Sequence, residues 1–154
     1  MIRCAKPEDM DQLHRLIKLW DEIKDTPQSA LLEGIESQTV FCATTEQGEI
    51  VSFLQAAIGE KTWEINRLFT HPDQRGKGYG TALFNALASH LDKTGKSAIF
   101  ITGKSNKGLQ RIARKYGFVP DGAPKMGAPN MKMIRYPRKQ TQSSPLPQEA
   151  ALSL

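Results

Sequence analysis

The stretch LFTHPDQRGKGYGTALFNAL, residues 68–87, runs from apolar residues through a polar turn into glycines on alternate positions, Gly76, Gly78 and Gly80. A helix-like apolar pattern follows. A glycine turn that opens a helix leaves backbone N–H groups without intrachain acceptors at the helix's positive end, the setting in which phosphates are held. The missing side chains let an anion come close to the backbone. Arg75 and Lys77 flank the turn as charge-assisted partners. The Walker pattern GxxxxGK[ST] is absent. The dinucleotide fingerprint GxGxxG does not fit either, because the glycines are spaced two and two and the turn lies mid-chain behind a hairpin.

Working outward, residues 62–70 (TWEINRLFT) read as the strand that enters the turn, and a helix follows from Gly78 to Lys93 with Leu83, Phe84, Leu87 and Leu91 on one face. Upstream, residues 39–45 and 49–59 are rich in β-branched and apolar residues and flank EQG, which predicts a hairpin. The chain opens with a short strand, Ile2 to Cys4. A helix then begins at Pro7, with Met10, Leu13, Ile17 and Trp20 in one stripe. A shorter helix is expected within residues 27–37. Downstream, residues 97–102 form a strand, a helix runs from Asn106 to a stop at Gly117, and residues 131–137 form a last strand. Hairpins first and helix–strand alternation later predict an α+β chain with a mixed, mainly antiparallel central sheet flanked by helices. The near-repeat GAPKMGAPNM, residues 122–131, reads as a loop. Residues 138–154, polar and with two prolines, read as a disordered tail behind one domain over residues 1–137.

Charge is divided along the chain. Residues 1–92 hold 9 Lys/Arg and 14 Asp/Glu, whereas residues 93–140 hold 12 Lys/Arg and a single Asp121. A basic half on an acidic chain suggests a polyanionic ligand or partner, or a solvated basic surface. Cys4 and Cys42 lie in apolar strand-like runs and read as buried reduced thiols. With the three scattered histidines they form no metal-ligand spacing. No apolar run reaches the roughly 20 residues of a membrane-spanning helix, and the N-terminus has no apolar export segment. A cytoplasmic protein without metal or membrane is the expectation.

RGKGYG, residues 75–80, matches the [QR]-x-x-G-x-[GA] segment of the GNAT superfamily of acetyl-coenzyme A-dependent N-acetyltransferases. The resemblance extends over residues 1–137: RCAKPEDMDQL is similar to the family's opening strand and helix, and SNKGLQRIARKYGF to its later Asn-to-Gly-Phe helix. It implies the GNAT acyltransferase fold, and acetyl-coenzyme A as donor with its pyrophosphate on Arg75, Gly76, Lys77, Gly78, Tyr79, Gly80 and Thr81. It also implies a strand that splays from its neighbour, so that the main chain of Leu68, Phe69 and Thr70 pairs with the pantetheine arm. A β-bulge there would free the N–H of Phe69 or Thr70 to polarise the thioester. Asn106 stands where the family's asparagine touches the pantetheine, and it also suits a helix N-cap.

Glu64 lies eleven positions before Arg75, in the register of the glutamate that acts as base in some members, and partial burial between Trp63 and Ile65 would suit that role. The tyrosine that often serves as acid is replaced by Ala113, so Tyr116 on the same helix is the substitute, with water or Ser105 as the other proton sources. The implied reaction is direct acetyl transfer in a ternary complex. Its acceptor is a small-molecule or nucleic-acid-linked amine, anionic if the basic segment borders the cleft. A homodimer is compatible with this reading. The missing tyrosine leaves a non-catalytic coenzyme A sensor as an alternative, and the basic half leaves a nucleic-acid-binding protein.

Overall fold

Pro7 lacks the N–H that a first helical turn cannot use, and Glu8 and Asp9 suit that turn's positive end. The chain accordingly passes from β1 (Ile2–Cys4) through a 3-10 turn at Pro7–Asp9 into α1 (Met10–Ile17). The Asp9 carboxylate accepts from the Lys6 N–H (2.8 Å) and from both terminal nitrogens of Arg3 (2.6 and 3.0 Å), which ties the strand to the turn. Trp20, last in the predicted stripe, lies beyond the end of α1. It reaches the same core by stacking on Phe69, with ring centroids 5.3 Å apart. α2 (Gln28–Glu36) falls inside its predicted range. The computed structural model describes residues 1–21, 23–122 and 127–138. The predicted tail from residue 139 onward, and residues 123–126 of the predicted loop, lie outside the described residues.

The sheet has the order β1-β2-β3-β4-β5-β7-β6, with β2 at Val40–Thr44, β3 at Ile50–Ile58, β4 at Thr62–Thr70, β5 at Ser97–Gly103, β6 at Val119–Pro120 and β7 at Asn130–Arg135. Every neighbouring pair is antiparallel except β4 and β5, which are parallel. This is the predicted mixed sheet. The two-residue β6 was not foreseen, because a segment that short shows no alternation. β7 stops at Arg135, two residues short of its predicted end.

α3 (Tyr79–Thr94) and α4 (Lys107–Lys115) cover one face of the sheet over a core that includes Phe41, Leu54, Trp63, Leu87 and Phe100. α1 and α2 cover the other face over Leu13, Leu31, Phe53 and Phe69. Cys4 belongs to the first core and Cys42 to the second. Both are free thiols, and burial pushes each up to about 11. Among the described residues no helix is long and apolar enough to cross a membrane.

Candidate functional site

β4 and β5 begin as partners and then separate. Their parallel ladder holds for three pairs, Thr62 with Ser97, Trp63 with Ala98 and Glu64 with Ile99. Beyond it β4 continues to Thr70 and β5 to Gly103 without pairing to each other. A β-bulge lies at the point of divergence. Arg67 opposes Gln55 and Ile65 opposes Ala56, so Asn66 is the extra residue. A bulge bends its strand and raises its twist, and one inserted residue exchanges the two faces. Trp63 and Ile65 therefore belong to the core under α3, whereas Phe69 belongs to the core under α1 and α2. The gap is a cleft of about 460 Å³ that draws walls from both faces, with Leu68, Phe100 and Leu109 on one side and Trp20 and Arg67 on the other.

The backbone of β4 turns toward the cleft a ladder edge that no strand pairs among the described residues. The His71 N–H donates to the Val51 carbonyl (2.8 Å), which fixes the alternation in this antiparallel pair. Arg67 and Phe69 turn their N–H and C=O groups toward β3, and Leu68 and Thr70 turn theirs toward the cleft. Of the two residues anticipated as donors, Thr70, like Leu68, is the one whose N–H faces the cleft. The bulge sits at Asn66, earlier than anticipated.

At the end of β4, His71 Nδ1 accepts from the Asp73 N–H (3.1 Å) and shapes a 3-10 turn at Pro72–Gln74. Gly76 (φ 79°) and Gly78 (φ 89°) occupy the left-handed region that disfavours side chains. Gly80 has no such φ and lies in the first turn of α3. A Cβ added at any of the three would meet no atom within 4 Å, so the surface over this turn is open. Among the described residues no side chain caps α3. The N–H groups of Tyr79, Gly80 and Thr81 therefore lie in a first turn that supplies them no acceptor. Arg75 folds back, its Nε donating to the Thr70 carbonyl (3.3 Å) and its guanidinium 5.5 Å from the Phe69 ring centroid. Lys77 bonds Gln74 (3.0 Å).

The other anticipated residues divide. Asn106 is the expected N-cap of α4, its Oδ1 accepting from the Leu109 N–H (3.2 Å), and it lines the cleft. Glu64 is exposed, not partly buried, because Trp63 and Ile65 point to the opposite face of the strand. It stands two residues before Asn66, which lines the cleft. Tyr116 is half-buried at the C-terminal end of α4 against the core and beside Lys115, and it is not among the residues that line the cleft. Ala113 is fully buried. The basic side chains of α4 do not line the cleft; that segment contributes Asn106 and Leu109.

Reading the sequence alone missed Trp20, Arg67 and Thr102, all of which line the cleft. Thr102 was legible as a strand residue. Its exposure to the cleft depends on the divergence of β4 and β5, which leaves no local trace.

A model of the Acetyltransferase (GNAT) family matches residues 8–118. An uncharacterised N-acetyltransferase of Methanocaldococcus jannaschii is 38% identical over 56 residues, 36% of this chain and 25% of that protein, so the match spans a quarter of that relative's length. A UPF0039 protein of Mycobacterium tuberculosis is 29% identical over 143 residues, covering 85% of this chain and 88% of its own. Among solved structures, the PaiA N-acetyltransferase of Thermoplasma acidophilum in complex with coenzyme A superposes with a TM-score of 0.73 at 18% identity, over 88% of this chain and 98% of the other.

Proposed function

The chain belongs to the acetyltransferase (GNAT) family, whose acyl donor is acetyl-coenzyme A, and we propose that it moves the acetyl group directly to a small-molecule amine held with the donor in the β4–β5 cleft. The observation that carries this reading is the three-pair ladder between β4 and β5, which ends where the unpaired edge of Leu68 and Thr70 begins. That edge runs toward the N-terminus of α3, so one extended ligand would meet ladder donors first and helix-terminal N–H groups at its anionic end.

Acetyl transfer requires a neutral amine, a polarised thioester carbonyl and a proton for the leaving thiolate. The N–H groups of Leu68 and Thr70 are the donors assigned to the carbonyl. Residues 75–81 hold the pyrophosphate, with Arg75 swinging from Thr70 to contribute. Glu64, exposed on the strand that borders the cleft, takes the amine proton through water. For the thiolate, Tyr116 competes with a water proton relayed through the Thr102 hydroxyl, whose position in the cleft wall favours it. Positioning both substrates supplies much of the rate, since the acetyl group arrives activated.

Release of coenzyme A thiol, followed colorimetrically across a panel of amines, tests the proposal. The buried thiols of Cys4 and Cys42 keep the protein's own background low. Acceptor-dependent release is expected. Tight donor binding with no release for any amine would refute the enzymatic reading in favour of a sensor. Thr102→Val should slow release more than Tyr116→Phe, and the reverse order would return the acid role to Tyr116.

A further inference from the structure

Among the described residues that line the cleft, one side chain carries a full charge, that of Arg67. It lies half-buried on the α1/α2 face, where its Nη1 donates to Gln55 Oε1 (2.9 Å). Gln55 is itself buried and anchored by donating to the Ala30 carbonyl of α2 (3.2 Å). Gln55 is neutral, so this bond orients the guanidinium without compensating its charge. Among the described residues no carboxylate pairs with it. Its Nε is buried, with no hydrogen-bond partner among the described residues. Buried donors are rarely left unmade, and a charged one is a costly omission. Gln55 thus holds one corner of a planar fork whose remaining donors are underused.

The cleft draws its walls from both faces of the sheet, so its two sides differ. The glycine turn and α3 belong to one face, which leaves the Trp20–Arg67 side, under α1 and α2, for the acceptor.

We infer that Arg67, steadied by Gln55, determines acceptor specificity, and that the acceptor is a small amine bearing a carboxylate. This rests on the acetyl-transfer reading given above. A guanidinium fork matches a carboxylate in charge and in plane. A dianionic phosphate would keep an unmatched charge, because no second cation lines the cleft among the described residues. A polyamine would face the like charge of Arg67, with no carboxylate among the described residues that line the cleft and Glu64 reached only through water.

The test measures initial rates of thiol release from acetyl-coenzyme A with the common amino acids, their carboxamides and O-phosphoethanolamine. Wild type, Arg67→Gln and Arg67→Lys are compared, with coenzyme A binding measured calorimetrically on each. The expected result is a kcat/KM at least tenfold higher for the preferred amino acid than for its carboxamide, carried mainly by KM. Arg67→Gln should bring that ratio toward one, and Arg67→Lys should restore part of it. A purely structural Arg67 would lower both rates together and leave the ratio in place, which overturns the inference. A wild-type ratio near one, or preference for the phosphate-bearing amine, also overturns it, while retained coenzyme A binding leaves the donor reading standing. Loss of coenzyme A binding by the wild type would instead remove the acetyl-transfer reading on which this one rests. If Arg67→Gln fails to fold, the wild-type ratio and Arg67→Lys decide the question.

Discussion

His90 lies tilted against Trp63 (centroids 5.1 Å apart) and also approaches Phe41 (6.3 Å), and burial there, reinforced by the nearby charge of Lys93, lowers its pKa from the usual 6.5. Between that lowered value and 6.5 the unfolded chain binds more protons than the folded one, so stability is full above about pH 6.5 and falls as the pH drops through this window. His90→Phe, which keeps a ring in place, should flatten the melting temperature between pH 7 and pH 5. An unaltered slope would show that another group controls it. Glu64 provides the catalytic counterpart at this scale. Glu64→Gln should reduce kcat by roughly 10²-fold, the usual contribution of a positioned base, while leaving coenzyme A affinity within about twofold. Equal kinetics would remove Glu64 from the mechanism.

At the scale of elements, the first turn of α3 separates folding from function. Gly80 needs neither a left-handed φ nor local space, so Gly80→Ala should stabilise the helix by about 1 kcal/mol. An acid there would also complement the helix dipole, so Gly80→Asp should melt no lower than wild type while its charge opposes a diphosphate. Calorimetry should find coenzyme A binding weakened at least tenfold in Gly80→Asp and retained in Gly80→Ala. Binding that survives the acid would relocate the donor's anionic end. This turn was legible in the sequence because its signal is local: alternate glycines, flanking cations and a helical period follow one another within about 20 residues. α2, α3, α4 and the succession of longer strands along the chain were legible for the same reason. What was not legible arises between elements. The extra residue at Asn66 exists only relative to β3, and nothing within WEINRLF marks the exchange of faces that turns Arg67 toward Gln55.

For the molecule as a whole, the cleft depends on how firmly β5, β7 and β6 are held to α3, because the wall opposite β4 belongs to that half of the sheet. One ion pair bears much of this. Arg135 on β7 is 2% exposed and donates two bonds to Asp92 near the end of α3 (2.8 and 2.9 Å), and its Nε donates to the Tyr116 carbonyl at the end of α4 (2.6 Å). Asp92 also accepts from the Arg138 N–H (2.7 Å). Burial opposes ionisation of Asp92, but the bonds from Arg135 and Arg138, with their charges, prevail and hold its carboxyl below the usual range. Its contribution is therefore complete above the unfolded carboxylate value near 3.9 and is lost as the pH falls through the lower, folded value. Removing the acid alone strands a buried guanidinium, so Asp92→Ala should cost about 3–5 kcal/mol in urea unfolding at neutral pH. The deficit relative to wild type should narrow below about pH 4, where protonation of Asp92 weakens the same pair. If Arg135 instead finds a compensating carboxylate, the deficit will be under about 1 kcal/mol and independent of pH, and α3 and β7 must then be joined by their apolar contacts alone.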